Sequence, residues 1–90
     1  MSKEYKINFD DYSFMDAEGT YLAILDFKLW GKKQNIIAYF TLESGKKIIA
    51  VAYKDNDYHG LNDVELDETV RLTFEKSQSG RIRLSEVGNI

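Results

Sequence analysis

The chain alternates apolar and polar positions in five separate runs. Over residues 20–30, Tyr21, Ala23, Leu25, Phe27 and Leu29 fall on one face of an extended strand, because successive strand side chains point to opposite faces. Thr20, Leu22, Ile24, Asp26, Lys28 and Trp30 fall on the other. The first half of this run is apolar on both faces, which predicts a strand covered on both sides there. Residues 35–43 keep the alternation, with Ile36, Ala38, Phe40 and Leu42 inward and Ile37, Tyr39 and Thr41 outward. Residues 47–54 are apolar on both faces through Ile48, Ile49, Ala50, Val51 and Ala52, and run into Tyr53. Residues 69–76 place Val70, Leu72 and Phe74 inward, and residues 81–87 place Ile82 and Leu84 inward. The connections are short and polar: 31–34, 44–46 and 77–80, with Gly45 able to supply a positive φ. The stretch 55–68 breaks the pattern, and its Gly60 and dense acids predict a loop with at most one short helix near 61–64. Before the first long run, Tyr5, Ile7 and Phe9 alternate with Lys6 and Asn8, so residues 1–18 are expected to form an N-terminal strand or arm. Residues 88–90 read as a tail.

These elements predict an all-β fold, a small antiparallel barrel of five to six strands in one domain over residues 1–90. Three strands in a meander, a pause, and then a hairpin resemble the OB-fold, the five-stranded Greek-key barrel. The resemblance covers residues 20–87. It rests on strand order and on the run from Gly60 and Leu61 through Val64, Leu66, Asp67, Glu68 and Thr69 to Leu72, a polar turn that enters an alternating strand. The chain departs from the pattern at Asp67 and Glu68, where many OB-folds keep glycine. An SH3-like or Sm-like barrel fits the same strand count, and a two-layer meander with a short helix is a third arrangement.

Composition narrows the function classes. Cysteine is absent, which removes disulfides, thiol nucleophiles and zinc–thiolate sites. The N-terminus lacks the apolar core of a signal peptide, and no apolar run approaches the roughly 18 residues of a membrane span. A cytoplasmic protein with no membrane partner is the expectation. The net charge of −3 argues against a general polyanion binder. It is unevenly spread, however: residues 28–54 hold six Lys and one Glu, while residues 55–70 hold six acids and no base. The simplest expectation is that unlike blocks face one another in the fold.

Single-stranded nucleic acid is the first candidate ligand, since such a binder needs cations for phosphates and flat rings for bases. The OB resemblance implies a site on the face of the second and third long strands, flanked by the 31–34 and 76–81 loops. On that mapping Lys32, Lys33, Arg81 and Arg83 meet phosphates, and Trp30, Tyr39 and Tyr53 stack on bases. The alternative is a protein-interaction or oligomerisation module that uses Leu22, Ile24, Tyr58, His59 and Leu61, since tyrosines and stray apolar positions populate interfaces. Asp55, Asp57, Gly60 and Asp63 mimic a calcium loop, yet its twelfth position is Leu66 rather than a bidentate Glu. No metal and no cofactor are expected. His59 is the single histidine and no nucleophile pattern accompanies it, so no catalytic residue is assigned and the chain is read as a non-enzyme.

Overall fold

The computed structural model describes residues 7–90. The strictest alternation in the sequence becomes β3 (Asn35–Leu42), whose inward Ile36, Ala38, Phe40 and Leu42 are all buried. It lies between β2 (Gly19–Trp30) and β4 (Lys47–Tyr53), antiparallel to both. Gly45, at a φ of 93°, makes the tight turn into β4, a left-handed conformation that costs glycine nothing. β5 (Thr69–Lys76) pairs antiparallel with the first half of β2, and β6 (Ile82–Asn89) folds back on β5. The two-residue β1 (Ser13–Phe14) adds in parallel to β4 at Ile48 and Ile49. The sheet order is β1-β4-β3-β2-β5-β6. The fourth of the five long strands thus returns beside the first, the spatial order of a Greek key. β4 and β6 approach each other at the ends of this order, and a 3-10 segment, Lys54–Asp63, packs on β3, β4 and β6. The small all-β, barrel-like class expected from the alternation is the one that forms.

The core fills the space between the inner faces. Leu25, Ile36, Phe40, Ile48, Val70 and Leu72 are fully buried from six positions on β2, β3, β4 and β5. Ala23, Ala38, Ala50 and Ala52 are buried beside them, with Ala23 opposite Leu42 and Ala52 opposite Ile36 across the ladders. Small residues opposite large ones suit the narrow interior of a small barrel.

The N-terminal arm differs from a simple strand. Tyr5 and Lys6 of the expected strand lie outside the described residues. Phe9–Asp11 form one 3-10 turn, capped by Asn8, whose Oδ1 accepts from the Asp10 N–H at 3.1 Å. Tyr12 and Met15 are buried, so this arm covers part of the sheet. At the other end, Gly88 and Asn89 are not tail but pair with Arg71 and Val70 in the β5–β6 ladder.

The largest difference from the sequence pattern is in β2. Its pairing with β3 shifts register between Leu25 and Phe27, a β-bulge at Asp26. One extra residue reverses which face every later side chain takes. Phe27 and Leu29, expected inward, pair with the outward Tyr39 and Ile37, while Lys28 and Trp30 pair with the buried Ala38 and Ile36. Lys28 survives on the inner side because its Nζ donates to the carbonyls of Leu61, Asn62 and Val64, at 3.0, 3.0 and 2.5 Å. It holds the exit of the 54–63 segment against β2.

That segment needs holding. Asp57, Tyr58, His59 and Gly60 have φ of 49°, 58°, 51° and 83°, four left-handed residues in succession. Each non-glycine residue there costs roughly 1–2 kcal/mol. The contacts that offset the strain are the fully buried Leu61, the Lys28 ammonium, and an edge-on packing of Tyr58 against Trp30 at 5.0 Å and 88°.

Candidate binding surface

With the inner face committed to the core, the outer faces of β3 and β4 are apolar as well, and the bulge extends that surface onto β2. One cross-strand row runs Phe14, Ile49, Tyr39 and Phe27, and the next runs Val51, Ile37 and Leu29. Cross-strand neighbours on one face lie about 4.5–5.5 Å apart, so each row is continuous. The N-terminal arm roofs one corner. The Phe9 ring packs on Tyr39 at 4.7 Å and on Phe27 at 5.9 Å, and the Tyr12 ring meets Tyr39 edge-on at 5.2 Å. Beyond this roof Phe14 is 68% exposed and Tyr53 48% exposed, with Ile37, Ile49 and Val51 half-buried between them.

The roof is tied down at the bulge. Asp26, freed from regular pairing, accepts the Tyr12 hydroxyl at 2.8 Å and the Thr41 hydroxyl at 2.5 Å. Burial, and then the bond to the Asp26 carboxylate and its charge, push the Tyr12 phenol up to about 12. The Lys47 ammonium sits over the Tyr12 ring, 5.2 Å from its centre. Asp11, Asp26 and Asp67 line a shallow pocket of about 280 Å³ beside Lys47 and Tyr12. Asp67 occupies its turn at a φ of 67°, the conformation for which glycine is the usual residue.

The sequence-derived residues separate into groups. Trp30, Lys32, Lys33 and Tyr53 gather at one end of the sheet, since Asn35 pairs with Tyr53 and the 31–34 turn joins Trp30 to β3. Trp30 is 63% exposed, but it emerges on the inner side and Tyr53 on the outer. Tyr39 lies under Phe9 and Tyr12. Arg81 and Arg83 follow the β5–β6 turn, which lies past the Gly19 end of β2 because Gly19 pairs with Phe74. The whole of β2, a contour of roughly 36–40 Å at 3.3 Å per residue, separates that turn from Lys32 and Lys33. The two basic loops expected to flank one site therefore stand at opposite ends of β2.

The protein-docking residues divide as well. Ile24 is 42% exposed, but Thr41 and Thr69 flank it, and Leu22 lies opposite Arg71, so the two form no unbroken apolar stripe. Leu22 instead joins Met15, Tyr21 and Leu42 in lining an open groove of about 630 Å³ closed at one side by the Asp16–Lys46 pair. That 2.9 Å pair holds the Asp16 carboxyl below its ordinary value. Tyr58 and His59 are partly exposed on the left-handed turn, whereas Leu61 is core and cannot dock anything without unfolding.

The expectation that unlike charge blocks face one another also changes. Among the described residues Asp16–Lys46 is the one ion pair within 4 Å. Of the six lysines in residues 28–54, Lys28 is held by carbonyls and Lys46 by Asp16, which leaves Lys32, Lys33, Lys47 and Lys54 without a carboxylate partner among the described residues. Among the same residues no group of three or more His, Asp or Glu is placed to hold a metal ion. No helix of the described residues is long and apolar enough to cross a membrane.

Phe14, Ile37, Ile49 and Val51 were not among the site residues read from the sequence. Their signal was present in the apolar second face of residues 47–54, which a strand with one buried face does not need. No family model, characterised protein or solved structure matches the chain.

Proposed function

We propose that this chain is a non-enzymatic, cytoplasmic protein-interaction module on an OB-like barrel, docking through the outer face of β2, β3 and β4. The observation that carries the reading is the pair of apolar cross-strand rows on the outer face of strands whose inner face already fills the core. The rows are half-buried at Ile37, Ile49 and Val51 and exposed at Phe14 and Tyr53, and the largest contiguous apolar patch on a small domain is often its functional surface. The Greek-key strand order supports the OB-like reading. The rows are aliphatic over two successive positions of β4, and the only ring in their centre, Tyr39, is roofed. A polynucleotide carries a phosphate at every residue, so several would cross this uncharged centre unneutralised.

Single-stranded nucleic acid remains the second reading at a different place, the end where exposed Trp30 stands beside Lys32 and Lys33. Selection from a displayed random-peptide library tests the main reading, run in parallel on the protein and on Val51→Asp. Peptides enriched on the first and lost on the second support docking at the outer face. Enrichment that is indifferent to Val51→Asp rejects it. Fluorescence anisotropy with labelled oligo-dT, lost on Lys32→Ala/Lys33→Ala, would favour the second reading.

A further inference from the structure

The apolar rows end differently at their two ends. At the β2–β3 turn stand Lys32 and Lys33, with no carboxylate partner among the described residues. At the opposite end, beside Thr41 and Lys47, stand Asp11, Asp26 and Asp67 around the shallow pocket. The strip between them is a few residues of β3 long, about 20 Å for six residues. It is therefore basic at one end, apolar in the middle and, with three carboxylates against the single Lys47, net acidic at the other. A half-turn about an axis through its centre, between Ile37 and Tyr39, exchanges the two ends. A surface of that kind is complementary to itself, which is the requirement of a two-fold interface, where residue i of one copy meets residue j of the other and the reverse.

The geometry points to a second copy of this chain as the occupant of the face, packed in antiparallel register about the axis between Ile37 and Tyr39, so that the Phe9 and Tyr12 roof over Tyr39 of each copy faces the open Val51, Ile37 and Leu29 row of the other. Lys32 and Lys33 of each copy meet Asp11 and Asp67 of the other. This rests on the protein-docking reading of the same face and adds the identity of the partner. Four strand columns about 4.8 Å apart give a flat footprint of roughly 300 Å² over that length. Even with the flanking turns this lies below the ~800 Å² per partner of a standard stable interface. The dimer is accordingly weak and concentration-dependent, and its paired charges make it salt-sensitive.

Sedimentation equilibrium on the full chain, from about 5 to 500 µM at low salt, reads this directly through the fitted dissociation constant. Mass rises toward twice the chain mass across that range. Val51→Asp raises the dissociation constant at least about tenfold. Lys32→Glu/Lys33→Glu and Asp11→Lys/Asp67→Asn each do the same alone, because the first sets acid against acid and the second sets a lysine against Lys32 and Lys33 and deletes the other acid. Mixing these two double variants restores association to within about threefold of the original, since Lys32 and Lys33 of one copy again meet Asp11 and Asp67, the new glutamates meet the lysine at position 11, and no like charges are left facing. Their exposed positions keep the test open should Val51→Asp fail to fold, and circular dichroism checks each variant. A monomer at every concentration overturns the proposal, as does a dimer unmoved by the charge variants or a mixture that does not recover. Either failure, with Val51-dependent peptide selection intact, leaves a protein-docking face whose partner is a different chain. Oligo-dT that dissociates the dimer while binding through Val51 would assign the strip to nucleic acid and overturn it as well.

Discussion

β2 and β3 are hydrogen-bonded neighbours of similar apolar content, yet they organise the molecule in opposite ways. β3 alternates without a break, buries Ile36, Ala38, Phe40 and Leu42, and does nothing but divide inside from outside. β2 alternates until Asp26, slips by one residue, and from there on sends Phe27 and Leu29 outward and Lys28 and Trp30 inward. Three features follow from that single bulge. Asp26 becomes the anchor for the arm through Tyr12, Lys28 becomes the clamp for the 54–63 segment, and Phe27 and Leu29 extend the outer apolar rows. Regular strand supplies stability, and the irregular residue supplies the surface and its attachments.

The largest effect expected from breaking this comparison is in β3. Phe40→Ala removes a fully buried ring and should cost about 3–5 kcal/mol, read as a fall in the urea midpoint. The bulged strand comes next. Lys28→Met keeps the stem and deletes the ammonium that serves three carbonyls, for about 2–3 kcal/mol. If β2 were regular and Lys28 solvated, the same change would move the midpoint hardly at all. A smaller change of the opposite sign is expected in the clamped segment. His59 holds a φ of 51° and its side chain makes no hydrogen bond among the described residues, so His59→Gly relieves left-handed strain and should stabilise by about 0.5–1 kcal/mol, net of the extra chain entropy of glycine.

The smallest effect is confined to alkaline pH. Tyr12 is raised to about 12, above the value of about 10 of an unfolded tyrosine. Its contribution to stability is therefore complete below pH 10 and is lost as pH rises through 12, where the unfolded chain releases the proton first. Spectrophotometric titration should show one phenol ionising last, and Tyr12→Phe should remove that step. A titration in which all the tyrosines ionise together near 10 would detach the arm from Asp26.

Much of the fold was legible in the sequence because alternation survives wherever a strand is regular. The limits of β3 and β5 follow from Ile36 to Leu42 and from Val70 to Phe74 with almost no error. β6 ran two residues further than its apolar pattern, since Gly88 and Asn89 pair through backbone that carries no side-chain signal. The faces of Phe27, Lys28, Leu29 and Trp30 were not legible, because a bulge leaves residue types unchanged and only moves their phase. Leu61 read as a loop residue for a related reason: its burial depends on the left-handed turn of residues 57–60, and three of those four residues are not the glycines that announce such a turn. The ring-and-lysine grouping was half recovered. Trp30, Lys32, Lys33 and Tyr53 are neighbours through one turn, while the separation from Arg81 and Arg83 is set by which end of β2 meets β5.

The outer face is tested most directly by a backbone amide shift map on addition of a peptide selected for binding. Shifts centred on Ile37, Ile49 and Val51, with β5 and β6 unmoved, are the predicted result. A map centred on the groove at Leu22 and Lys46, or on Trp30 and the 31–34 turn with β4 silent, would contradict the assignment of this face as the docking surface.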